Sequence, residues 1–244
     1  TAETGDAPAV APAVAEPRRA PSVRRSGRRP APGGVGAYLA AQAAQRAEDY
    51  DAAARFYRRV LEAGAGGTEI VARAFGYAAA AGDLETAVPL ARRLLEQVPD
   101  DTPARALDAA ALMRDGRAAE CAADLAEHGG RKEMDRFVIP LLRAWCLHGA
   151  GESGAALALL ADPGTAQAYA HLFRFHAGLV AAQAGRTDAA AGHFRAVVEE
   201  GRVISVGMAR LIIGFFQRQG LGVDAERVMA AVEGGRSSPL LDPE

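Results

Sequence analysis

The sequence predicts an all-α protein, a superhelical α-solenoid of about six helix–turn–helix repeats. Three observations support this prediction. Alanine supplies 58 of the 244 residues and aromatic residues only 6%, a composition that favours closely packed helices over β-sheet. A small turn signature recurs at spacings of 34 or 35 residues. After each turn, a small residue and then a position that fills the space between the two helices follow at fixed distances.

Each predicted repeat turns at a residue that ends its first helix. In five repeats this residue is glycine, which tolerates the positive φ of a helix C-terminus. These glycines are Gly82, Gly116, Gly151, Gly185 and Gly220. One period upstream stands Glu48, so the first repeat keeps the pattern without the glycine. We interpret residues 34–234 as six units in one register.

The second helix of each unit is predicted to contact the first through a small residue, five positions after the turn. These residues are Ala53, Ala87, Cys121, Ala156, Ala190 and Ala225. Four residues further along, on the same helix face, comes a plug that fills the space between the helices. The plug positions hold Tyr57, Ala91, Leu125, Leu160, Phe194 and Met229.

Stop and start signals separate the units. Residues 98–103 supply an N-cap and the first-turn proline Pro103. Residues 64–67 and 162–165 are expected to supply the same stop and start signals between other units. The repeat pattern of the third unit ends at Gly129 and Gly130. The fourth unit carries Pro140 in its first helix and is predicted to have a short second helix.

Taken together, these positions resemble the tetratricopeptide repeat (TPR) family, whose 34-residue unit is a helix–turn–helix. The best matches are Ala53 with Tyr57, then Gly82, Ala87 and Pro99, and then Gly178, Gly185, Ala190 and Phe194. The family's tryptophan near the start of the first helix is missing from every unit. A Sel1-type helical repeat, with a slightly longer period, ranks second. The resemblance implies a right-handed superhelix of about six TPR-like repeats.

The resemblance also implies a concave groove, lined by the first helix of each repeat, that binds a peptide or helix. The implied binding residues are Tyr38, Gln42, Arg46, Met113, Leu141, Trp145, Phe175, Leu179, Arg210 and Gln217, with Gln45, Arg114, His148, Gln183 and Arg218 beside them. The middle of this set is apolar and aromatic, whereas its ends are polar or basic, and such residue types are enriched at interfaces. The alternative is that Trp145, Phe175 and Leu179 are buried between repeats.

Enzyme signatures are missing from the sequence. Neither a phosphate-binding G-x-x-x-x-G-K-S/T loop nor a G-x-S-x-G nucleophile motif occurs. His171 and His176 are five residues apart, about 140° round a helix, so they do not form a shared metal face. We therefore expect no catalytic residue, metal or cofactor. The alternative of an enzyme requires a pocket that brings His171, His176 and an acidic residue together.

The two cysteines, Cys121 and Cys146, are too few for a disulfide framework and lack CxxC spacing. We expect each to pack in the core as a free thiol. The chain has a single lysine, Lys132, and no asparagine. It therefore lacks the lysine–asparagine carboxylate clamp of chaperone-binding TPR proteins, although arginine can still bind an acidic peptide bidentately.

Residues 1–33 differ in composition from the rest. They hold six prolines and three arginine pairs, and their net charge is +3 against −5 for the remainder. We expect a disordered Pro/Arg-rich tail or linker, with at most weak contact to nucleic acid or anionic lipid through its arginines. The acidic remainder disfavours nucleic-acid binding. Residues 235–244 are expected to be a C-terminal extension that is truncated, packed against a partner or simply frayed.

The sequence thus predicts a non-enzymatic adaptor that binds a protein segment in a helical groove. The alternative is a structural subunit of a larger assembly, permanently covered on one flank or at its C-terminal end. No apolar run reaches the length of a membrane span. The sequence is compatible with two compartments, which are the periplasm, after cleavage of an export signal, and the cytoplasm. The partner's identity, the cellular process and the oligomeric state are not predicted.

Overall fold

The computed structural model describes residues 33–64, 66–128, 135–164, 166–200 and 205–236. In these ranges the chain forms twelve α-helices and one 3₁₀ turn, Gln167–Tyr169. The helices are α1 (Gly34–Arg46), α2 (Tyr50–Glu62), α3 (Thr68–Ala80), α4 (Leu84–Gln97), α5 (Thr102–Arg114), α6 (Ala118–His128), α7 (Asp135–Gly149), α8 (Ser153–Ala161), α9 (Ala170–Gln183), α10 (Thr187–Glu199), α11 (Val206–Arg218) and α12 (Gly222–Arg236). The expectations for the tail (1–32), for Gly129, Gly130 and Lys132, and for residues 237–244 lie outside the described residues.

The twelve helices of the described ranges form six consecutive hairpins, from α1–α2 to α11–α12. Each hairpin is joined to the next by a shared apolar cluster. One cluster, for example, combines Ala41 and Tyr57 of the first unit with Ala74 of the second. Another combines Ala144 and Leu160 of the fourth unit with Phe173 and other residues of the fifth. This nearest-neighbour packing confirms the predicted TPR-like α-solenoid.

The predicted turn residues all adopt the left-handed backbone conformation. The five glycines have φ between 71° and 87°. Glu48 has φ 56°, and among the described residues it is the one non-glycine residue with positive φ. The backbone of the first hairpin therefore turns as the others do, although glutamate disfavours this conformation because of its Cβ atom.

Replacing Glu48 with glycine is expected to stabilise the protein. Relief of the left-handed strain outweighs the extra backbone freedom that glycine has in the unfolded chain. We expect a gain of about 0.5–1 kcal/mol in the free energy of unfolding, measured by urea denaturation. The matched control is Gly82→Ala, which places a Cβ on the equivalent turn (φ 73°) and should lower stability. A Glu48→Gly protein with unchanged or lower stability would contradict this account.

The predicted contact positions within each hairpin are confirmed in detail. All six small residues are buried, and so are five of the six plugs. The exception is Met229, whose predicted plug role is wrong because its side chain is 41% exposed. Val228, one residue earlier, fills the core of the sixth hairpin instead. A spacing of three residues after Ala225 reaches the same helix face as the spacing of four used by the other units.

Polar caps begin several helices, and the cap predicted before α5 is confirmed. The caps predicted at 64–67 and 162–165 are not found, because neither Gly67 before α3 nor Tyr169 before α9 makes a side-chain cap hydrogen bond. The Asp101 carboxylate accepts a hydrogen bond from the Ala104 backbone N–H at 2.9 Å, and Pro103 stands in the first turn of α5. Asp49 and Asp83 cap α2 and α4 in the same way. Such caps stabilise a helix by about 1 kcal/mol each. Helix α8 has only nine residues, which confirms the short second helix of the fourth unit.

Candidate functional site

The first helices of the last three units carry a continuous partly exposed strip. We define the α7–α9–α11 strip as the side chains of Trp145, His148, His176, Leu179, Gln183, Leu211 and Arg218. Trp145 and His148 lie on α7, the next three on α9 and the last two on α11. Hydrogen bonds and a shared cavity connect these side chains across the unit boundaries.

Trp145 is held in place by the neighbouring unit. Its indole N–H donates a hydrogen bond to Nδ1 of His176 at 3.0 Å, and the two rings meet edge to face. Because the indole can only donate, Nδ1 carries no proton, and the neutral ring is protonated at Nε2. Burial lowers the pKa of His176 below its ordinary value, which keeps the imidazole neutral at pH 7.

His148 forms a second link between the fourth and fifth units. Its Nδ1 lies 2.9 Å from the Ser153 hydroxyl, and its Nε2 lies 3.1 Å from Oε1 of Gln183. Since the amide oxygen of Gln183 can only accept, Nε2 of His148 is the donor in this contact. The two histidine contacts fix the relative positions of α7 and α9 along the strip.

Two of the predicted aromatic and apolar binding residues, Trp145 and Leu179, lie on the strip and are partly buried. Phe175 does not, because it is only 6% exposed and packs in the core against Phe194. For Phe175 the structure corrects the expectation of a groove residue and matches the alternative of burial between repeats. The reason is its phase on α9, where one position of difference turns a side chain by about 100°.

The predicted binding residues of the first unit form a separate tyrosine-centred group. Gln42 donates a hydrogen bond to the Tyr38 hydroxyl at 2.7 Å, and the Tyr57 hydroxyl donates to Gln45 at 3.1 Å. Tyr57 in turn stacks on Tyr77, with ring centroids 5.5 Å apart. These polar groups are engaged by their own neighbours, and no contact connects them with the strip in the described part of the chain.

The remaining predicted binding residues are dispersed. Met113 packs beneath Gly149, where an added Cβ would lie 2.6 Å from its Cε. Leu141 is partly buried in the apolar cluster between the fourth and fifth units. Arg46, Arg210 and Gln217 are exposed. Sequence reasoning missed His176 and Leu211, which the structure brings to the strip, since neither stands at a position that the family alignment assigns to the groove.

The expectation of two free thiols is wrong. Cys121 of α6 and Cys146 of α7 form a disulfide, with their Cα atoms 5.7 Å apart. Both side chains point into the apolar cluster shared by the third and fourth units, alongside Leu125 and Ile139. Cys121 still fills the small-residue position of its hairpin, as predicted. The bridge arises because α6 packs directly on α7 of the following unit.

Within the described ranges no group of three or more His, Cys, Asp or Glu side chains is placed to hold a metal ion. The same part of the chain contains no helix with the length and hydropathy needed to cross a bilayer.

Solved structures resemble the fold. The crystal structure of PilW, a widely conserved type IV pilus biogenesis factor, superposes with a TM-score of 0.60 at 18% identity, covering 84% of this chain and 94% of PilW. YrrB, described as a TPR protein with an unusual peptide-binding site, matches with a TM-score of 0.49 at 14% identity over 77% of this chain and 88% of YrrB. No protein-family model matches the sequence, and no curated protein matches it significantly.

The likeness to PilW establishes the fold, a TPR-like α-solenoid of paired consecutive helices. The fold is thus TPR-like, as the sequence pattern indicated. TPR solenoids are in general scaffolds for protein–protein interaction and are typically not enzymes.

Proposed function

We propose that this protein is a non-enzymatic adaptor that binds a segment of a partner protein along the α7–α9–α11 strip. The observation that carries the proposal is the strip itself. The polar side chains of His148, His176 and Gln183 are fixed by contacts between neighbouring units, while Trp145, Leu179 and Leu211 keep apolar surface accessible. A preorganised surface of this kind binds with little loss of side-chain entropy. Tryptophan and arginine are the residue types in which interface energy concentrates.

Trp145→Ala is expected to weaken partner binding at least tenfold. The substitution removes the largest accessible side chain of the strip, and truncated interface hot spots cost about 2 kcal/mol or more. Wild-type and variant protein, immobilised at equal density, would capture partners from a lysate of the source cells. The bound partners would be quantified by mass spectrometry and their affinities then measured with the purified partner.

The matched control for this experiment is Tyr50→Ala. Tyr50 is a similarly large aromatic residue, 46% exposed, on α2, a second helix far along the chain from the strip. It should leave partner binding unchanged. Circular dichroism would verify that both variants are folded. Undiminished capture by a folded Trp145→Ala protein would remove the strip from the proposal.

The second candidate function is a structural subunit that another protein covers permanently. It is favoured by apolar exposure on the sixth hairpin, where α11 and α12 carry four large exposed side chains. These are Val206, Leu211, Val223 and Met229. Light scattering on the purified chain separates the two candidates. A monodisperse monomer favours the adaptor, whereas self-association or aggregation favours the permanently covered subunit.

Of the two compartments that the sequence leaves open, the disulfide supports the periplasmic one. Disulfides persist in oxidising compartments and are rare in the reducing cytosol. The Cys121–Cys146 bridge is buried in the core, so it has the character of a structural cross-link. We propose that the adaptor acts in an oxidising compartment.

A further inference from the structure

A cavity of about 340 Å³ lies at the α9–α11 end of the strip. We call it the Leu211 pocket. Its apolar lining comes from Leu179 of α9, Phe194 of α10, and Leu211 and Phe215 of α11. Leu211 is 53% exposed, although Ile212, Phe215 and Phe216 of the same helix are buried in the core. The pocket therefore presents an accessible apolar surface on a rigid base.

The charge around the Leu211 pocket is of one sign. Arg218 lines it together with the neutral groups of Gln183, Thr187 and Gln219, and no carboxylate is among its lining residues. Throughout the described ranges, Arg218 makes no ion pair. Nine arginines of those ranges do form ion pairs, each with a carboxylate of its own hairpin or the next. Arg218 is thus a cation available to a ligand.

The Arg218 side chain passes close to Gly214. An added Cβ at Gly214 would lie 3.3 Å from Nη1 of Arg218, which shows that the arginine extends back along α11 over the glycine. This brings the guanidinium one turn closer to Leu211, the residue that forms the exposed apolar wall. A guanidinium so placed binds a carboxylate with two parallel hydrogen bonds.

We propose that the Leu211 pocket is the anchor subsite of the strip. It takes a bulky apolar side chain of the partner segment, while Arg218 pairs with an aspartate or glutamate side chain close to it in the same segment. The inference rests on the proposed adaptor function and adds the partner's chemistry to it. We take the acidic group to be a side chain within the segment, and the amidated C-terminus of the probe described next tests this choice against a chain-end carboxylate. The segment then continues along the strip towards Trp145.

The test is a selection of displayed random 12-residue peptides on the wild-type protein. Peptides that pair a bulky apolar residue with a nearby aspartate or glutamate should be enriched. The most enriched peptide, synthesised with a fluorescent label and an amidated C-terminus, is then the probe for affinity by fluorescence anisotropy. We expect Arg218→Gln and Leu211→Ala each to weaken its binding about tenfold. Arg218→Glu should select basic peptides in place of acidic ones.

The matched control is Leu84→Ala, since Leu84 is 45% exposed on α4, away from the strip. It should bind the probe as the wild type does. Enriched peptides without an acidic residue, loss of binding on amidation, or unchanged binding by folded Arg218→Gln protein would overturn the subsite while sparing the adaptor function. A wild type that enriches no peptide above an unrelated control protein would overturn both proposals.

Discussion

Cys121→Ala is expected to lower the free energy of unfolding by about 3 kcal/mol. The Cys121–Cys146 disulfide closes a loop with a sequence separation of 25 residues. A cross-link of that span removes conformational entropy from the unfolded chain worth about 3 kcal/mol. Alanine is a suitable replacement because it occupies the equivalent buried position of the five other hairpins. The substitution therefore removes the bridge and leaves the helix packing nearly intact.

Guanidinium denaturation with and without a reducing agent isolates the contribution of the bridge. Reductant should bring the wild type down to the stability of Cys121→Ala and leave the variant unchanged. Mass spectrometry after thiol alkylation would confirm that the native wild type has no free thiol. Equal stability of the oxidised wild type and Cys121→Ala would show that the cross-link does not stabilise the fold.

Gly178→Ala is expected to destabilise the protein by about 2 kcal/mol, although alanine is the better helix former. A Cβ at Gly178 in α9 would lie 2.5 Å from Cε1 and 2.7 Å from Cδ1 of Phe194. The Phe194 ring is fully buried and is flanked by Phe175, Phe215 and Phe216, so making room for the Cβ would disturb these contacts and push the ring towards the Leu211 pocket that it lines. Overpacking a close-packed core typically costs 1–3 kcal/mol.

The matched control is Gly192→Ala, at an exposed glycine inside α10 where an added Cβ meets nothing within 4 Å. It should stabilise the protein by about 0.5–1 kcal/mol, because alanine has the higher helix propensity. The two glycine-to-alanine changes thus have opposite expected signs in thermal or guanidinium denaturation. Adding Phe194→Leu to Gly178→Ala should recover part of the loss. A Gly178→Ala protein as stable as Gly192→Ala would contradict the close packing of α9 on α10.

Most of the fold could be predicted from the sequence because its repeats impose the same local requirements six times. A positive φ at each turn favours glycine, and close approach of two helices favours a small residue. Even where the residue type departs from the pattern, as at Glu48, the alignment gives the correct backbone turn. At Met229 the alignment gave the wrong plug, since helix contacts at three and four residues are nearly equivalent.

The site was less accessible to sequence reasoning. Whether a residue such as Phe175 faces solvent depends on the rotation of its helix, and a difference of one position separates the core from the surface. Contacts between units, such as the hydrogen bond from Trp145 to His176, depend on how neighbouring hairpins are placed. The disulfide was missed for the same reason, because its cysteines belong to different units.

The disulfide also has a mechanical consequence. A solenoid of nearest-neighbour contacts can be pulled apart one repeat after another, so its extensibility is set by the number of residues between the two points of force. While the bridge is intact, the segment between its cysteines, a sequence separation of 25 residues, cannot be extended by the force. At about 3.5 Å per extended residue, the oxidised protein should reach a contour length shorter by about 80 Å than the reduced one. Under tension, α6 of the third repeat and α7 of the fourth would therefore stay joined by the covalent bridge.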